Sequence, residues 1–585
     1  MESHAETRRH RIGGLVLAAL IVSSGLNTPI AAQEKVDTAT IARITAEAME
    51  HSQIMDIMSW MTDVYGPRLT WSPNTKRAAD WAMSTMKSWG LANVHLENWY
   101  QANALGWANE YFALNAVSPN PFIVEAVPRA WSAGTAGKVN GPAIRVQAEC
   151  RADFEQKYAG KLKNAFILPA GPANTPVAQF SSTASRYSDS ALMNMAFPAP
   201  GGGRGGRGAV PPGPGAPNAV PAPQPSAICA AEVAAAAEAA VAAGRGGRGG
   251  GGGRGGAAGF NPTNDTTALR FMQNQGVAAI LLGGRGGTNS QGGDIATDNG
   301  ASRAKGYPRV PMVHVATESY GRIARMVERN QPVMLSLDMK NTFYPADTAS
   351  FNVLAEIPGT DPALKDEVVM IGGHFDSWHS GTGATDNGAG SGVMMEAMRI
   401  LKALNLQPRR TIRIGLWTGE EQGLYGSAAY VKQHYGSSDS TGFHALPEQA
   451  KFAAYFNVDN GSGKIRGVYT QAIPAEWPIF DAWMAPFKSG GMRTLTNSTT
   501  GGTDHLSYIG VGLPGFQFIQ DPLDYGNFTH HTNQDVYERL QPDDMKWNAA
   551  VVASFAWQAA QRDEKLPRPP VPAGRGGRGG GRGGQ

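Results

Sequence analysis

Five side chains of the kinds that bind metal ions stand at or near the ends of predicted strands. They are two histidines and three acidic residues, His374, Asp386, Glu421, Asp459 and His531. If one carboxylate bridges two metal ions, this set gives each ion three protein ligands and leaves a position open for water and substrate. The sequence therefore predicts a site for two Zn²⁺ ions and an enzyme that hydrolyses its substrate.

Each of these residues has a simpler interpretation when it is taken alone. Asp386 precedes a predicted helix and could be its N-cap, and Glu421 could stabilise a helix N-terminus. Asp459 could begin a turn, His531 could be a surface histidine, and His374 could belong to a structural hydrogen-bonded pair. Five such coincidences in one segment of alternating strands and helices favour the metal site.

Two neighbouring acids extend the predicted chemistry. Glu420 and Glu421 are adjacent after an apolar strand, so that one can bind metal while the other carries protons. Asp376, two residues after His374, can accept the second imidazole N–H and so fix the histidine tautomer.

Alternating strands and helices from residue 350 onward would position these residues. The predicted elements are strand Val368–Gly372, helix Gly388–Leu404, strand Thr411–Trp417, helix Gln422–Tyr435, strand Ala453–Val458, helix Trp477–Phe487, strand Gly515–Ile519 and helix Asp543–Arg562. This order predicts an α/β fold, a mostly parallel twisted sheet with helices on both faces. In such sheets the ligand site lies beyond the carboxyl ends of the strands.

The rest of the chain divides into segments that differ in composition and hydrophobic pattern. Residues 36–104 are predicted to form the first part of the catalytic domain, and residues 345–563 its main part. Between them, residues 105–344 contain short apolar runs that predict an inserted β-rich module. Within this module residues 197–259 are rich in Gly, Pro, Ala and Arg and are predicted to be disordered, as is the Arg/Gly-rich tail 564–585.

Length and composition agree with this division. A chain of 585 residues is expected to form two or more domains, and its 73 glycines and 38 prolines are more than a compact enzyme needs. The net charge of +3 favours no polyanionic partner, so we expect no nucleic acid and interpret the Arg-Gly-Gly tracts as flexible spacers.

The N-terminus predicts export. Residues 1–32 have a basic start, the short apolar run Ile12–Leu26 and small residues before a cleavage point after Ala32, as in a signal peptide. An uncleaved anchor is the alternative, but the run is shorter than the ~20 apolar residues of a spanning helix, so no stable membrane span is expected. Cys150 and Cys229 could pair in an oxidising compartment, although their spacing does not require it.

Five short motifs together resemble a known family. The series G-G-H-F-D, D-N-G-A-G, G-E-E, N-V-D and H-T-N-Q-D is similar to the co-catalytic zinc peptidases of family twenty-eight of the metallopeptidases, which include aminopeptidases and carboxypeptidase Q-like enzymes. The resemblance is strong over residues 350–562 and weaker around Gly66-Pro67-Arg68. For residues 105–344 it implies a protease-associated domain.

The resemblance also implies roles. His374 and Asp459 would hold one zinc, Glu421 and His531 the other, Asp386 would bridge the two ions, and Glu420 would be the general base. It further implies a cis peptide between Asp386 and Asn387. Tyr525, or the Asp504–His505 pair, would stabilise the oxyanion of the tetrahedral intermediate.

The predicted function is that of a secreted zinc exopeptidase, namely an aminopeptidase, carboxypeptidase or dipeptidase. Action on peptide ends is expected because the insert would border the cleft and leave room only for chain ends. One alternative is an acyltransferase of glutaminyl cyclase type, which uses the same fold with one zinc. A second is a non-catalytic binding protein, either a receptor on this scaffold or one that contacts nucleic acid through the Arg-Gly-Gly tracts. The preferred peptide end and the oligomeric state stay open.

Overall fold

The computed structural model describes residues 34–102, 104–169, 184–197, 226–232, 260–283, 295–297, 299–344 and 349–570. The described residues from Val36 onward belong to one compact unit. The predicted signal peptide, most of the low-complexity tract and tail residues 571–585 lie outside the described residues. Among the described helices, none combines the length and apolar character needed to cross a bilayer.

The strands are numbered in chain order. They are β1 Ala92–Tyr100, β2 Gly106–Ser118, β3 Phe122–Ile123, β4 Ala126–Pro128, β5 Val139–Arg145, β6 Phe166–Leu168, β7 Ala279–Gly283, β8 Met312–Val315, β9 Met334–Tyr344, β10 Ala349–Ile357, β11 Val368–His374, β12 Thr411–Trp417, β13 Gly436–Asp439, β14 Gly442–Ala445, β15 Phe452–Asn457, β16 Ile465–Tyr469, β17 Thr494–Thr496 and β18 Gly515–Gln520.

The α-helices follow the same convention. They are α1 Thr38–Glu50, α2 Ile54–Ser59, α3 Pro73–Ser88, α4 Arg151–Tyr158, α5 Asp189–Ala196, α6 Thr266–Gln275, α7 Thr317–Glu328, α8 Ala389–Ala403, α9 Tyr425–His434, α10 Trp477–Met484, α11 His505–Ile509 and α12 Pro542–Gln561. Residues 227–232 are also helical.

One eight-stranded sheet carries the predicted site. Its order is β1-β10-β12-β11-β15-β18-β16-β17. The central strands β12, β11, β15 and β18 are parallel, whereas β1, β10 and β16 run antiparallel to neighbours. The predicted α/β fold is confirmed, with a parallel centre whose buried strands read as apolar runs in the sequence.

Helices cover both faces of this sheet. Ile371 packs into a core that includes Val393 of α8 and Phe555 of α12. Its neighbour Met370 points to the opposite face and packs with Tyr430 of α9. This alternation along β11 is the two-residue period of a strand, and it places the central strands between two layers of helix.

A second eight-stranded sheet is formed within residues 105–344, where the sequence predicts a β-rich insert. Its order is β3-β2-β9-β5-β6-β7-β8-β4. Two apolar cores lie on its faces, one with α7 and the other with α4 and α6. Its identification as a protease-associated domain stays a prediction.

A disulfide joins this second module to the low-complexity tract. Cys150, which precedes α4, is bonded to Cys229 in the helical segment 227–232. The sequence left this pairing open, because the 79-residue separation sets no geometry. The described part of the tract is therefore linked covalently to the folded module.

Candidate metal centre

Three neighbouring parallel strands bring predicted site residues to one edge of the first sheet. Strand β11 ends at His374, β12 is followed by Glu420 and Glu421, and β15 is followed by Asp459. Each strand is a buried apolar run, so polar side chains first become possible where the strand opens into a loop. Because the strands are adjacent and parallel, these ends meet at the same edge.

The other two predicted ligands, Asp386 and His531, come from turns. The peptide between Asp386 and Asn387 is cis, as the resemblance implied. The Asn387 side-chain amide donates to the carbonyl of Val458 at 2.8 Å. A Cβ on Gly390 would lie 2.1 Å from that same carbonyl oxygen. Gly390, the second glycine of D-N-G-A-G, is therefore required by the close approach of α8 to the end of β15.

Asp386 lies between two groups of side chains, with one carboxylate oxygen toward each. On one side, His374 Nε2 is 3.3 Å from Asp386 Oδ1 and 3.4 Å from Asp459 Oδ1. On the other, His531 Nε2 is 3.3 Å from Asp386 Oδ2 and 3.0 Å from Glu421 Oε2. The structure thus brings all five predicted ligands together, in two groups that share one carboxylate.

The donor atoms of this centre fit a cation. Among the described residues, the buried oxygens Asp386 Oδ2 and Glu421 Oε1 accept no hydrogen bond. A cavity of about 10 Å³ lies beside them, lined also by His531 and Trp378, which is the space of about one water molecule. Buried carboxylate oxygens without donors are costly unless a cation or proton compensates them. Imidazole and carboxylate are ligands that zinc accepts.

Strong electrostatic coupling holds the group together. Burial alone would raise the pKa of Asp386, but hydrogen bonding with His374 and the nearby imidazoles lowers it below its ordinary value. Burial opposes protonation of His374, yet the charges of Asp459 and Glu420 raise the pKa of that imidazole well above its ordinary value. The surrounding acids therefore favour a positive charge at the position of His374, and a bound divalent cation would supply one there.

Glu420 lies beside the two groups with a carboxyl suited to proton transfer. Burial, followed by the charges of Asp459 and Asp504 and despite the favourable charge of His374, raises the pKa of Glu420 well above that of a free glutamate. A buried carboxylate whose pKa is raised accepts a proton more readily than that of a free glutamate, which suits a group that transfers protons.

The hydrogen bond from His374 differs from the one that the sequence predicts. His374 Nδ1 lies 3.0 Å from the backbone carbonyl oxygen of Asp376, whereas the nearer carboxylate oxygen is 3.6 Å away. The Asp376 carboxylate instead accepts the Thr70 hydroxyl at 2.7 Å and the Glu420 backbone N–H at 3.3 Å. Asp376 thus orients the histidine through its main chain and the Glu420 turn through its side chain.

Tyr525 lies beside the metal-ligand group. Its ring centroid is 5.0 Å from that of His530. Burial and the charges of Asp386 and Asp459 raise the pKa of Tyr525 well above its ordinary value. The phenol therefore keeps its proton and remains a hydrogen-bond donor.

Asp504 and His505 have separate surroundings. Burial raises the pKa of Asp504 to about 7, and both of its buried carboxylate oxygens lack hydrogen-bond partners among the described residues. Burial lowers the pKa of His505 to about 4, and its Nε2 lies 3.2 Å from the carbonyl oxygen of Thr500. The two residues therefore do not share one hydrogen-bonded unit.

Asp535 contacts the centre but received no role in the sequence analysis. Its carboxylate accepts the Thr385 backbone N–H at 2.6 Å, the Thr385 hydroxyl at 2.8 Å and the Asp386 backbone N–H at 3.1 Å. Burial and the charge of Asp386 raise the pKa of Asp535 to about 7. The only sequence signal was its place at the end of H-T-N-Q-D.

His530 also received no role in the sequence analysis. Its Nε2 lies 3.8 Å from Asp386 Oδ2.

Arg68 joins two of the loops that carry the ligands. Its guanidinium is fully buried and donates to the carbonyls of Phe375 at 2.6 Å, Thr382 at 3.0 Å and Gly383 at 2.9 Å. Burial lowers the pKa of Arg68 to about 10, so the side chain remains a cation at neutral pH. The family resemblance around Gly66-Pro67-Arg68 was weak, and it predicted none of the contacts that Arg68 makes.

Comparison with known proteins places this centre within a family domain. Residues 352–556 match the sequence profile of Peptidase family M28. Carboxypeptidase Q from Mus musculus is 33% identical over 263 residues, which are 45% of this chain and 53% of that protein. Leupeptin-inactivating enzyme 1 from Streptomyces exfoliatus is 31% identical over 177 residues, 30% of this chain and 36% of that protein.

A solved structure shares the fold over most of the chain. The Peptidase M28 precursor from Shewanella amazonensis SB2B aligns with a TM-score of 0.58 and 24% sequence identity, over 91% of this chain and 98% of that chain. The chain spans about half the length of the carboxypeptidase Q sequences it matches. The sequence resemblance to family twenty-eight of the metallopeptidases is thus confirmed, by a domain that contains all five predicted ligands.

Proposed function

Because residues 352–556 form a Peptidase family M28 domain, we propose that the protein is an exported, zinc-dependent exopeptidase that holds two zinc ions. The observation that carries the proposal is the placement of Asp386, whose Oδ1 faces His374 and whose Oδ2 faces His531. Carboxypeptidase Q and leupeptin-inactivating enzyme 1, both similar to this domain, support peptide as the substrate.

The ligand assignment follows the two groups. His374 and Asp459 would hold one ion, Glu421 and His531 would hold the other, and Asp386 would be shared between them. Bound zinc supplies Lewis acidity, which activates water and polarises the scissile carbonyl. The buried oxygens Asp386 Oδ2 and Glu421 Oε1 support this assignment, because neither accepts a hydrogen bond from the described residues.

Glu420 is the proton carrier in this proposal. Its carboxylate takes the proton of the attacking water and returns it to the leaving amine. The raised pKa of Glu420 supports this cycle, because burial and the neighbouring acids make its carboxylate a better proton acceptor than that of a free glutamate. Asp376 orients the Glu420 turn by accepting its backbone N–H.

Tyr525 donates to the oxygen of the scissile carbonyl as negative charge develops on it. The phenol is suited to this role because its pKa is raised by burial and by the neighbouring acids, so the donor proton is retained. A Cβ on Gly461 would lie 3.0 Å from the Tyr525 side chain. The glycine therefore leaves space for the ring beside the centre.

Contacts with the second module support action on peptide ends. Ala296 of that module donates its N–H to the Asn533 side chain at 2.9 Å and accepts the Asn533 N–H at 3.1 Å. Thr297 forms a β-bridge with Thr532, the residue after His531. The module therefore borders the centre on the His531 side, where it would restrict entry of a long chain.

Export is supported by the Cys150–Cys229 disulfide, since such bonds persist in oxidising compartments. The glutaminyl cyclase-type alternative uses one zinc, and the arrangement of two groups around Asp386 favours the two-ion enzyme over it.

One experiment tests both the metal count and the reaction. The purified protein, saturated with zinc and freed of excess by gel filtration, is analysed for metal and incubated with free, N-blocked and C-blocked dipeptides. We expect two zinc ions per chain and cleavage of at least one peptide that has a free end. One zinc per chain together with ammonia release from N-terminal Gln would support the cyclase alternative and overturn the proposal.

A further inference from the structure

Tyr525 and His531 belong to one loop, residues 521–533, here called the site loop. Two of its residues, Leu523 and His531, have φ angles of 44° and 56°, in the left-handed region that residues with a Cβ rarely adopt. Such conformations persist where neighbouring contacts hold them. The conformation of the site loop therefore depends on contacts from outside the loop.

The inserted sequence 105–344 supplies contacts near both of these positions. Ser185 donates its backbone N–H to the carbonyl of Leu523 at 2.9 Å, and the two residues form a β-bridge. Near the other end of the loop, Thr297 forms a β-bridge with Thr532, the residue after His531. The inserted sequence thus holds the site loop at its start and at its end.

The contact at the start comes from a segment that packs on the first sheet. This segment, residues 185–197, is here called the strap. Its helix α5 contacts β17, an edge strand of that sheet. The ring of Phe197 at its end lies 6.3 Å from the ring of Trp477, the first residue of α10. The strap therefore belongs to the inserted sequence but packs against the catalytic part of the protein.

Arg186 joins the strap to two acids of the catalytic part. Its Nη1 donates to Asp544 Oδ2 at 2.6 Å and to Asp521 Oδ2 at 3.0 Å. The backbone N–H of Tyr187 donates to the other oxygen of Asp521 at 3.0 Å. The Asp521 side chain is fully buried, and a buried carboxylate requires such donors. Two consecutive residues of the strap therefore satisfy both oxygens of Asp521.

Asp521 is the first residue of the site loop and lies four positions before Tyr525. Arg466 of β16 also donates to its carboxylate, at 3.0 Å, so the acid is held from two sides. The next residue, Pro522, accepts the Tyr525 backbone N–H on its carbonyl at 2.9 Å. The position of Tyr525 thus follows from that of Asp521. A displacement of about 1 Å in a positioned group can lower a rate about 10²-fold.

We propose that Arg186 is a positioning residue for Tyr525. By holding Asp521, it fixes the start of the site loop in the conformation that brings the phenol to the metal centre. The inference rests on the proposed function, because it concerns the residue that donates to the scissile carbonyl in that reaction. The inserted sequence then contributes to the chemical step as well as restricting entry to the cleft.

The test is a double-mutant cycle between Arg186 and Tyr525, measured on the zinc-loaded protein with a dipeptide that wild type cleaves. We expect Y525F to lower kcat about 10²- to 10³-fold, as loss of an oxyanion donor does. R186Q alone should lower kcat about 10-fold or more, with KM within about threefold of wild type. In the Y525F background, R186Q should change kcat less than about twofold, because residues that act through one group are not additive.

Lysine separates the charged contact from a general loss of packing. Both bonds of Arg186 to the two acids come from one nitrogen, so a single ammonium can replace it, and R186K should restore kcat to within about threefold of wild type. Arg151 is the matched control. It is also partly exposed and lies near two acids of the inserted sequence, 3.8 Å from Glu232 and 3.6 Å from Asp265. R151Q should leave kcat and KM unchanged.

Hydrogen–deuterium exchange gives a readout that does not depend on activity. In the folded protein the His530 N–H donates to the Tyr525 carbonyl at 2.9 Å, within the site loop. In R186Q the amides of this loop should exchange about tenfold faster or more than in wild type, because local opening becomes easier. The amides of β11 and β12 should keep their wild-type rates, and R151Q should match wild type throughout.

The outcomes separate this inference from the proposed function. If zinc-loaded wild type cleaves no peptide, the peptidase proposal fails, and the exchange comparison then decides whether Arg186 fixes the site loop. If R186Q lowers kcat by the same factor with and without Y525F, the peptidase proposal stands and the role of Arg186 is overturned. Unchanged exchange of the site loop in R186Q would also overturn it. A Y525F enzyme with the kcat of wild type would remove Tyr525 from the reaction and the inference with it.

Discussion

The Asp535 carboxylate accepts the backbone N–H of Asp386 at 3.1 Å. Two further hydrogen bonds from Thr385 hold the same carboxylate. The main chain of the bridging residue is thereby fixed by an acid that does not itself belong to the proposed ligand set. Groups that orient a ligand in this way usually control metal affinity.

We therefore expect D535N to weaken zinc binding about 10- to 100-fold, because the amide nitrogen would meet the N–H donors that the carboxylate now accepts. Competition with a chelator of known affinity measures the effect. Asp366, which is exposed, provides the control D366N, and its affinity should equal that of wild type. An unchanged chelator titration for D535N would show that Asp535 does not position Asp386.

The second prediction concerns Glu420. E420Q should retain zinc but lower kcat by about 10² to 10⁴, the usual effect of removing a positioned acid–base group. Metal analysis and steady-state kinetics on the same preparation separate these two results. The control is E564Q, at an exposed glutamate, which should match wild type in both. Near-normal turnover in E420Q would remove Glu420 from the reaction.

Four of the five predicted ligands could be located from local patterns, because His374, Glu421 and Asp459 follow buried apolar strands and Asp386 lies in a glycine-rich turn. His374 and Glu421 are examples, since strand direction alone places them at one edge. Asp376 shows the limit of this reasoning. Its position near His374 was predicted, but its carbonyl rather than its carboxylate lies within hydrogen-bond distance of the imidazole, because the carboxylate accepts from Thr70 and the Glu420 backbone N–H.

The contacts of Arg68, Asp535 and Arg303 could not be predicted in this way. Asp535 reaches Asp386 across 149 residues, and Arg303 of the second module reaches Tyr425 at the start of α9 across 122 residues. Such contacts depend on how the modules pack, and no periodicity in the sequence encodes them. The Cys150–Cys229 bond was open for the same reason.

Arg68 gives a third prediction, on stability and metal binding together. R68M removes the donors to Phe375, Thr382 and Gly383, which leaves buried carbonyls unpaired. We expect a loss on the order of 3 kcal/mol or more in the free energy of unfolding, since each unpaired buried polar group costs about 1 to 3 kcal/mol. Urea unfolding of the metal-free protein measures this loss.

Arg43 provides the control for Arg68, because this exposed arginine donates to one carbonyl, that of Leu404, at 3.2 Å. R43M should lower the free energy of unfolding by less than about 1 kcal/mol. R68M should also bind zinc more weakly, since the loops after His374 and before Asp386 lose their common partner. Equal stability of R68M and R43M would contradict the structural role given to Arg68.

The last prediction is a pH dependence at His434, away from the proposed ligands. Its Nε2 lies 3.0 Å from Glu97 and its Nδ1 lies 3.0 Å from Glu448, so the imidazole joins β1 to the segment before β15. Hydrogen bonding with Glu97, opposed by burial and helped by Glu448, raises the pKa of His434 in the folded protein. Tyr430 and Tyr435 also contact the ring but stay neutral, because burial raises the pKa of each phenol.

A pKa raised by folding means that the folded protein binds the proton more tightly than the unfolded chain. The stabilisation is therefore complete below the unfolded pKa of about 6.5, and it is lost as pH rises through the higher folded value. Wild type should exceed H434Q in free energy of unfolding at about pH 6, and this difference should shrink by about pH 9. Urea unfolding of both proteins at each pH, with H51Q at an exposed histidine as control, measures the difference. A gap between wild type and H434Q that stays constant across this range would show that the charge of His434 does not contribute to stability.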